Sequence, residues 1–438
     1  MSSQAPSARK YVLCCAGCGK KLSPTTDRCP DCSDALLRTD YAMRAFSPTD
    51  RRDIFRYLDW LPPEGSVGTT IGPVVYRSEA LAARLDLSHL YVGFNGYAPE
   101  IGARNPTGSF KDFEALPTLL RFREQGKEAI ILASAGNTAR AFAYAATILG
   151  FAACLVVPEA MLHKLWLPRK ASDAVRLVVL EGSADYAEAI RLASLLSERF
   201  GIPSEGGARN VARRDGMGTV VLEHVRVAGA LPDHYVQAVG SGTGAIAAWE
   251  ASMRLIASDA CAAALPRLHL VQNAPFTPIH DAWTTGRPIR SDEDVPDQLE
   301  RIRAIDADVL ANRNPPFTVR GGVRDALRAT DGCTYAVSNA EIAGAQELFA
   351  GAEKLPISPE AGAAVAALRQ AALAGRIRRD ESVLLNVTGN NDALLRRDYE
   401  LHPVTPWLRI RPGDVSRRGI GRWADRFERQ GAQPGRQD

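Results

Sequence analysis

The sequence has no long hydrophobic run and almost no excess charge of either sign. No apolar stretch reaches the roughly 18 residues that a membrane-spanning helix needs, and the polar stretch Met1–Lys10 lacks the apolar segment of a signal peptide. The 53 basic residues nearly balance the 50 acidic residues, which leaves a net charge of +3. This balance gives no general case for nucleic acid or an anionic membrane as a partner.

Cysteine is scarce outside one cluster. Five of the eight cysteines fall between Cys14 and Cys32, and the other three are scattered along the chain. Clustering of this kind is typical of a metal-binding knuckle in a reducing compartment, and it argues against a disulfide framework. Together with the missing signal peptide, it predicts a cytoplasmic enzyme.

The paired cysteines have the spacing of a four-thiolate zinc site. Two tight CxxC turns, Cys15 with Cys18 and Cys29 with Cys32, can bring four sulfurs to one tetrahedral Zn²⁺. Because thiolates fill all four positions, such a site is structural and not catalytic. Cys14 could compete as a ligand, and a cluster without metal is the alternative. We predict a zinc-ribbon-like knuckle over residues 11–40, after a disordered stretch over residues 1–10.

Residues 41–405 alternate short apolar runs with alanine-rich stretches. Runs of five or six largely apolar residues are typical of parallel strands that are covered on both faces. The alternation predicts an α/β fold with mostly parallel sheets. Predicted strands cover residues 128–133, 153–157, 175–180, 235–239, 268–272 and 383–387, and predicted helices cover residues 112–125, 138–149, 184–200, 244–257 and 361–374.

The last segment, residues 406–438, is rich in arginine and poor in aliphatic residues. This composition predicts a solvated and partly disordered extension. An oligomer contact or an anion-binding arm is the alternative.

The stretch from Asn105 to Asp112 (NPTGSFKD) places Lys111 at the start of a predicted helix. The positive end of the helix dipole disfavours protonation of an amine at this position. Only a neutral amine attacks an aldehyde, so the position of Lys111 suits imine chemistry. Taken alone, the stretch would more often contain an ordinary surface lysine.

Three further motifs follow predicted strands. The loop Ser134–Thr138 (SAGNT) opens a helix whose backbone N–H groups can bind a substrate carboxylate, and Asn137 can offer an amide hydrogen bond to a phenolic oxygen. The loop Gly240–Gly244 (GSGTG) lets the backbone approach a phosphate closely. Its spacing differs from GxGxxG and it lacks GK[ST], which favours a phosphate monoester over a dinucleotide. Thr388 can hydrogen-bond a neutral pyridine nitrogen, or it is simply a turn residue.

In this order, NPTGSFKD, SAGNT, GSGTG and NVTGN resemble the fold type II pyridoxal-phosphate (PLP) enzymes over about residues 10–400. The resemblance implies two open, mostly parallel α/β domains of the tryptophan synthase β kind with the cofactor between them. The smaller domain, at about 120–235, is inserted into the larger one. The resemblance also implies that Lys111 is catalytic and holds PLP as a Schiff base. Asn137 would contact the cofactor O3′ and Thr388 would face the pyridine nitrogen. The phosphate would be cradled by Gly240, Ser241, Gly242, Thr243 and Gly244.

Longer strings resemble the cysteate synthase family, namely residues 73–80, 90–96, 164–168, 205–218 and 237–250. This resemblance implies that O-phospho-L-serine and sulfite are converted to L-cysteate and phosphate, in coenzyme M synthesis or a related sulfonate metabolism. Threonine synthase, which acts on O-phosphohomoserine, shares every cofactor motif and is the first alternative. A relative that uses another nucleophile is the second. The third is a non-catalytic protein in which the knuckle and the basic tail serve as an interaction module.

Anionic substrates such as phosphoserine and sulfite require cations in the pocket. Guanidinium groups bind phosphate and sulfonate through paired hydrogen bonds, and Arg209 and Arg213 would share a helix face if their segment is helical. Arg169 and Arg214 are further candidates. The predicted substrate-binding residues are Ser134, Ala135, Gly136, Thr138, Lys164, Arg209 and Arg213. A homo-oligomer is expected.

Overall fold

The computed structural model describes residues 9–134, 136–262, 264–289 and 297–415. Most of the predicted disordered stretch 1–10, the candidate Ala135 and the tail from residue 416 onward therefore lie outside the described residues. The chain divides into two units. The larger unit comprises Met1–Gln125 and Gly206–Glu400, and the smaller unit comprises Gly126–Glu205 and Leu401–Asp438.

The strands and helices of the described residues, in chain order, have the following bounds. The strands are β1 (Tyr11–Cys15), β2 (Lys21–Leu22), β3 (Leu37–Tyr41), β4 (Val75–Arg77), β5 (His89–Phe94), β6 (Tyr97–Ala98), β7 (Ala103–Arg104), β8 (Ala129–Ala133), β9 (Ala152–Pro158), β10 (Trp166–Leu167), β11 (Val175–Leu180), β12 (His234–Ala238), β13 (Arg267–Asn273), β14 (Cys333–Val337), β15 (Ser382–Val387), β16 (His402–Pro403) and β17 (Pro406–Ile410). The helices are α1 (Ala80–Leu85), α2 (Asp112–Glu124), α3 (Asn137–Leu149), α4 (Tyr186–Phe200), α5 (Val211–Ala228), α6 (Thr243–Ala257), α7 (Pro278–Thr285), α8 (Gln298–Arg303), α9 (Val323–Ala329), α10 (Asn339–Glu353), α11 (Pro359–Leu373) and α12 (Ala393–Asp398).

The larger unit is built on a six-stranded sheet with the order β14-β13-β12-β15-β5-β4. Neighbouring strands are parallel except β4, which pairs antiparallel with β5 at the edge. The central strands are almost continuously buried, as expected where helices cover both faces of a sheet. The predicted α/β fold with mostly parallel sheets is confirmed.

Helices lie on both faces of this sheet. Residues of α1, α10 and α11 share one apolar core with alternate strand residues such as Val92 and Val236. On the opposite face, a Cβ added at Gly93 would lie 2.8 Å from Val220 of α5, so this helix packs directly against the strand backbone. Helix α5 in turn packs against α2 and α6.

The N-terminal segment of the larger unit forms an antiparallel sheet with the order β2-β1-β3. Its interior is small and includes Leu13 and Leu36, each 1% exposed. Strand β3 contacts helix α5. Asp215 of α5 accepts hydrogen bonds from the hydroxyls of Thr39 (2.8 Å) and Tyr41 (2.7 Å). The cysteine-containing segment is thereby attached to the helix that also packs on α2.

The smaller unit contains a fully parallel sheet with the order β17-β11-β9-β8. Helix α4 begins with a capping box in which Asp185 and Glu188 exchange hydrogen bonds with each other's backbone. Strand β17 is an edge strand, so residues 406–410 belong to a sheet and differ from the solvated extension that we predicted there. The proline that begins β17 lacks an N–H group, which an edge position tolerates.

None of the helices in the described part of the chain has the length and apolar character that crossing a membrane would demand.

Candidate active site

Lys111 lies at the boundary between a buried turn and helix α2. It is the residue that precedes Asp112, the first residue of the helix, and its side chain is 27% exposed. The turn before it is closed by Asp112, whose carboxylate accepts hydrogen bonds from the backbone N–H of Thr107 (3.0 Å) and from its hydroxyl (2.8 Å). The predicted position of Lys111 at a helix start is confirmed.

The segment that carries Lys111 runs alongside the residues that follow strand β15. Phe110 donates its backbone N–H to the carbonyl oxygen of Thr388 over 2.8 Å, and Ser109 forms an antiparallel bridge with Gly389. A Cβ at Gly389 would lie 2.8 Å from the carbonyl oxygen of Gly108, so this close approach depends on glycine. Lys111 and Thr388, which are distant in sequence, are thereby brought to one place in the larger unit.

The glycine loop connects β12 to α6. Gly242 has a φ of +78°, and Thr243 is the first residue of the helix. A Cβ added at Gly240 would lie 3.1 Å from Leu310. One added at Gly242 would lie 2.2 Å from Val323, and one added at Gly244 would lie 2.4 Å from the Gln237 amide. A Cβ would therefore collide at Gly242 and Gly244 and would be tight at Gly240. The loop leads into the N-terminus of α6, and a helix N-terminus favours anions.

The glycine loop and Thr388 occupy the same edge of the sheet. Strands β12 and β15 are parallel neighbours, and His234 pairs with Val383. After β12 the chain continues to β13, which pairs with one side of β12, and β15 later pairs with the other side of β12. The gap between β12 and β15 is therefore a topological switch point. Ligands of open α/β sheets bind outside the carboxyl ends of the strands at such a point.

Glu114, a charged residue next to Lys111, was missed in the sequence analysis. Glu114 of α2 is fully buried, and its Oε2 lies 3.5 Å from Nζ of Lys111. The same oxygen lies 2.8 Å from Nε of Arg213 in α5. Lys111 and Glu114 are three residues apart, as neighbours on a helix surface are, and this spacing could have indicated their contact. Nothing local in the sequence indicates the contact between Glu114 and Arg213.

The predicted arginines occupy different surroundings. Arg209 lies in a 3-10 turn that ends before α5 begins, so it does not share a helix face with Arg213. Its guanidinium is 3.6 Å from Asp34 and donates to the carbonyl oxygen of Ala35. Arg214 is fully buried against Glu250 at 2.8 Å, and Arg169 is exposed.

In the smaller unit, the loop between β8 and α3 is shaped by Ser134. The Ser134 hydroxyl accepts hydrogen bonds from the backbone N–H groups of Gly136 (3.0 Å) and Ala139 (2.9 Å). Gly136 has a φ of +135° and precedes the helix. A Cβ at Gly136 would lie 2.9 Å from the side chain of Lys164, so the lysine stem packs over this glycine. Thr138 is half-buried in the first turn of α3.

Arg140 is a further residue that the sequence did not reveal. It is 7% exposed and donates hydrogen bonds to Oδ1 of Asn137 (3.0 Å) and to the carbonyl oxygen of Lys164 (3.3 Å). Its guanidinium stacks over the ring of Trp166 at 4.1 Å. Two predicted site residues are therefore connected to one buried cation.

The four predicted metal ligands form one cluster. The sulfurs of Cys15, Cys18, Cys29 and Cys32 all lie within 4.8 Å of one another, and the Cys18 and Cys29 sulfurs are 3.7 Å apart. Tetrahedral zinc with bonds of about 2.3 Å requires sulfurs about 3.8 Å apart. Cys14 is not a member of the cluster. The four thiols can therefore hold a metal ion such as Zn²⁺.

The electrostatics of the cluster favour the thiolate at Cys15, whereas the pKa values of Cys18 and Cys29 are raised. Burial raises the pKa of Cys15, but hydrogen bonds from the backbone N–H groups of Cys18 and Gly17 outweigh it and lower the pKa to about 7. By contrast, complete burial raises the pKa of Cys154 to about 12. Only thiolates bind metal well, so Cys15 is suited to the role and Cys154 is not.

Comparisons with known proteins identify the family of the chain. Residues 103–389 match the family "Pyridoxal-phosphate dependent enzyme". The chain is 46% identical to a cysteate synthase of Methanocella paludicola over 92% of this chain and 95% of that protein. It is 47% identical to a cysteate synthase of Methanoculleus marisnigri over 93% of this chain and 94% of that protein.

Solved structures show the same fold at low sequence identity. A PLP-dependent aspartate racemase matches with a TM-score of 0.56 and 18% identity, over 74% of this chain and 92% of that one. A threonine deaminase of Solanum lycopersicum matches with a TM-score of 0.54 and 19% identity, over 80% of this chain and 93% of that one. The fold is that of the type II PLP enzymes, and the chain belongs to the pyridoxal-phosphate dependent enzymes and, within them, to the cysteate synthase family.

Proposed function

We propose that this chain catalyses a PLP-dependent β-replacement in which O-phospho-L-serine and sulfite give L-cysteate and phosphate. Its identity to cysteate synthases over nearly the whole chain supports this reaction. The observation that carries the proposal is the position of Lys111 at the start of α2, directly after the backbone hydrogen bond between Phe110 and Thr388.

The residues of the larger unit fit PLP. The glycine loop packs closely against neighbouring residues and leads into the N-terminus of α6, and a helix start of this kind suits a phosphate. We assign the phosphate to residues 240–244, the aldehyde carbon to Lys111 and the pyridine nitrogen to Thr388. Because a hydroxyl does not keep that nitrogen protonated, Thr388 favours β-elimination over competing reactions.

PLP supplies an electron sink for the carbanion that remains when the α-proton of the amino acid is removed. We assign the removal of this proton, and its later return, to the amine of Lys111. Loss of phosphate breaks the bond between the β-carbon and oxygen, and the oxygen leaves with the bonding electrons. The sulfur of sulfite then forms a bond to the same carbon with its own electron pair.

We also assign roles to the loop between β8 and α3. We assign the substrate carboxylate to the backbone N–H groups at the start of α3 and to Thr138, and the O3′ contact to Asn137. Lys164, whose stem packs over Gly136, is the cation that we assign to the phosphate or sulfonate group. Substrate contacts of Arg209 and Arg213 stay predictions, since both have carboxylate neighbours.

A substrate screen by mass spectrometry tests the reaction. Phosphoserine and phosphohomoserine are each paired with sulfite, sulfide, phosphite and water. Formation of cysteate and phosphate from phosphoserine and sulfite is expected, whereas formation of threonine from phosphohomoserine and water alone would overturn the proposal. Lys111→Ala should abolish turnover and the visible absorbance of bound PLP, and Lys354→Ala, at the exposed end of α10, should change neither.

We also propose a homo-oligomer in the cytoplasm. The cysteine cluster, which a reducing compartment would preserve as thiols, supports the location. Native mass spectrometry of the purified chain tests the oligomer, and a single-chain mass would contradict it.

A further inference from the structure

One carboxylate oxygen lies between two cations in the larger unit. Oε2 of Glu114 is 3.5 Å from Nζ of Lys111 and 2.8 Å from Nε of Arg213. Glu114 is fully buried, the Arg213 side chain is 9% exposed and the Lys111 side chain is 27% exposed. The lysine is thus the most accessible member of this trio.

The approach of α5 to α2 brings Arg213 to this oxygen. A Cβ at Gly216 would lie 1.9 Å from the carbonyl oxygen of Phe113, so the two helices touch along their backbones. Asn210 caps α5 by accepting hydrogen bonds from the N–H groups of Ala212 and Arg213, and it donates to the hydroxyl of Thr118 in α2. The position of Arg213 is therefore set by rigid elements.

We propose that Glu114 is a positioning residue, which holds the amine of Lys111 whenever that amine is not bonded to the cofactor, with Arg213 fixing the carboxylate. The inference rests on the proposed function, because it assigns a role to the lysine of that reaction. An ionised carboxylate at this distance favours the ammonium form of Lys111, which opposes the effect of the helix dipole. Once Lys111 has taken the α-proton, Glu114 stabilises the resulting cation and keeps it in place for the return of the proton.

The neighbouring carboxylate of Asp112 does not duplicate this role. It is directed to the backbone and the hydroxyl of Thr107, where it closes the turn. Nor does stability by itself account for the pair of Glu114 and Arg213, since a buried ion pair often contributes little to folding relative to apolar residues of the same shape.

The test measures the protonation of Lys111 directly. The full-length chain, stripped of PLP, is treated with an amine acetylating reagent over a range of pH, and acetylation of the Lys111 peptide is read by mass spectrometry. Only the neutral amine reacts. In Glu114→Gln the pH midpoint of acetylation should move down by about one unit or more, because a negative charge is lost and Arg213 remains. In Arg213→Met the midpoint should move up, because the positive charge that competes for the carboxylate is lost.

Glu250→Gln is the matched control, because it neutralises a buried carboxylate of α6, which pairs with Arg214 of α5 at 2.8 Å. Its acetylation midpoint should equal that of the unmodified chain. If Glu114→Gln does not fold, the upward shift of the acetylation midpoint in Arg213→Met still tests the proposal. An unchanged midpoint in the folded variants would overturn the proposal.

Reductive trapping separates this inference from the proposed function. Borohydride treatment of the holoenzyme should join PLP to Lys111 in both the unmodified chain and Glu114→Gln. Trapping at Lys111 with unchanged acetylation midpoints would reject only the role of Glu114. Absence of trapping at Lys111 in the unmodified chain would reject the proposed function itself.

Discussion

Arg140 donates a hydrogen bond from Nη2 to the side-chain oxygen of Asn137 over 3.0 Å. A guanidinium has donors only, so the atom of the Asn137 amide that faces it has to be the oxygen. The amide nitrogen, which is the donor that a phenolic oxygen needs, is then on the other side. Arg140 therefore sets the orientation of the residue that we assign to the cofactor.

Replacing Arg140 by lysine should weaken PLP binding about tenfold. The substitution keeps the charge but cannot hold Asn137, Lys164 and the face of Trp166 together, and one hydrogen bond to a charged group contributes about 1.5 kcal/mol. The measurement is a PLP titration of the stripped chain followed by absorbance. Arg176→Lys is the control, since it alters another arginine–tryptophan stack of the same unit, over Trp407 at 5.2 Å. Equal losses in both variants would contradict the assignment.

Replacing Gly216 by alanine should destabilise the chain by about 1–3 kcal/mol. The new Cβ would lie 1.9 Å from the carbonyl oxygen of Phe113, so α5 has to move away from α2. Urea unfolding measures the effect. Gly344→Ala is the matched control in α10, where a Cβ meets nothing within 4 Å, and it should stabilise by about 0.5–1 kcal/mol. The prediction fails if both glycines respond alike.

Replacing Cys15 by serine should remove the bound metal, while the same change at Cys14 should not. Cys15 belongs to the four-sulfur cluster and its sequence neighbour does not. Elemental analysis of the purified chain is expected to give about one zinc per chain for the unmodified protein and for Cys14→Ser. Loss of metal should also lower the unfolding temperature, because metal binding is coupled to folding of such modules. Metal retained in Cys15→Ser would count against the site.

The stability of the chain should fall below about pH 6.5 in part through His224. Burial lowers the pKa of His224 to about 4. The folded state therefore favours the neutral imidazole of His224, whereas the unfolded chain binds a proton below about pH 6.5. The contribution of neutral His224 to the free energy of unfolding is complete above about pH 6.5 and is lost as the pH falls towards 4. Between these two pH values the loss is on the order of 3 kcal/mol.

His224→Phe is the variant that tests this pH dependence. Comparison of urea unfolding at pH 7.5 and pH 5 should show a smaller loss of stability than in the unmodified chain. Some loss should persist, because burial also lowers the pKa of His269, to about 3. Protonation of the unfolded chain at His269 therefore also reduces stability as the pH falls. An identical loss in both proteins would argue against a neutral buried His224.

Several elements could be predicted because their signals are local. The six predicted strands and five predicted helices are all present, within two residues of the predicted bounds in each case. Helix α5 was missed because its residues from Val211 to Val225 are buried all round and include two glycines and several charges, so it shows no amphipathic stripe. Strand β17 was missed because its short sequence, PWLRI, precedes an arginine-rich tail and is stabilised by pairing with β11.

The amino-acid sequence by itself was enough to predict the family, the position of Lys111 at a helix start, the glycine loop and the grouping of the four cysteines, because each is indicated by residues that are close along the chain. Only the tertiary structure decided what surrounds them. The contact of Arg213 with Glu114 and the hydrogen bond from Phe110 to Thr388 join segments that are far apart in sequence. Such contacts follow from helix packing and strand order, and neither leaves a periodic or spaced pattern that the chain displays before it folds.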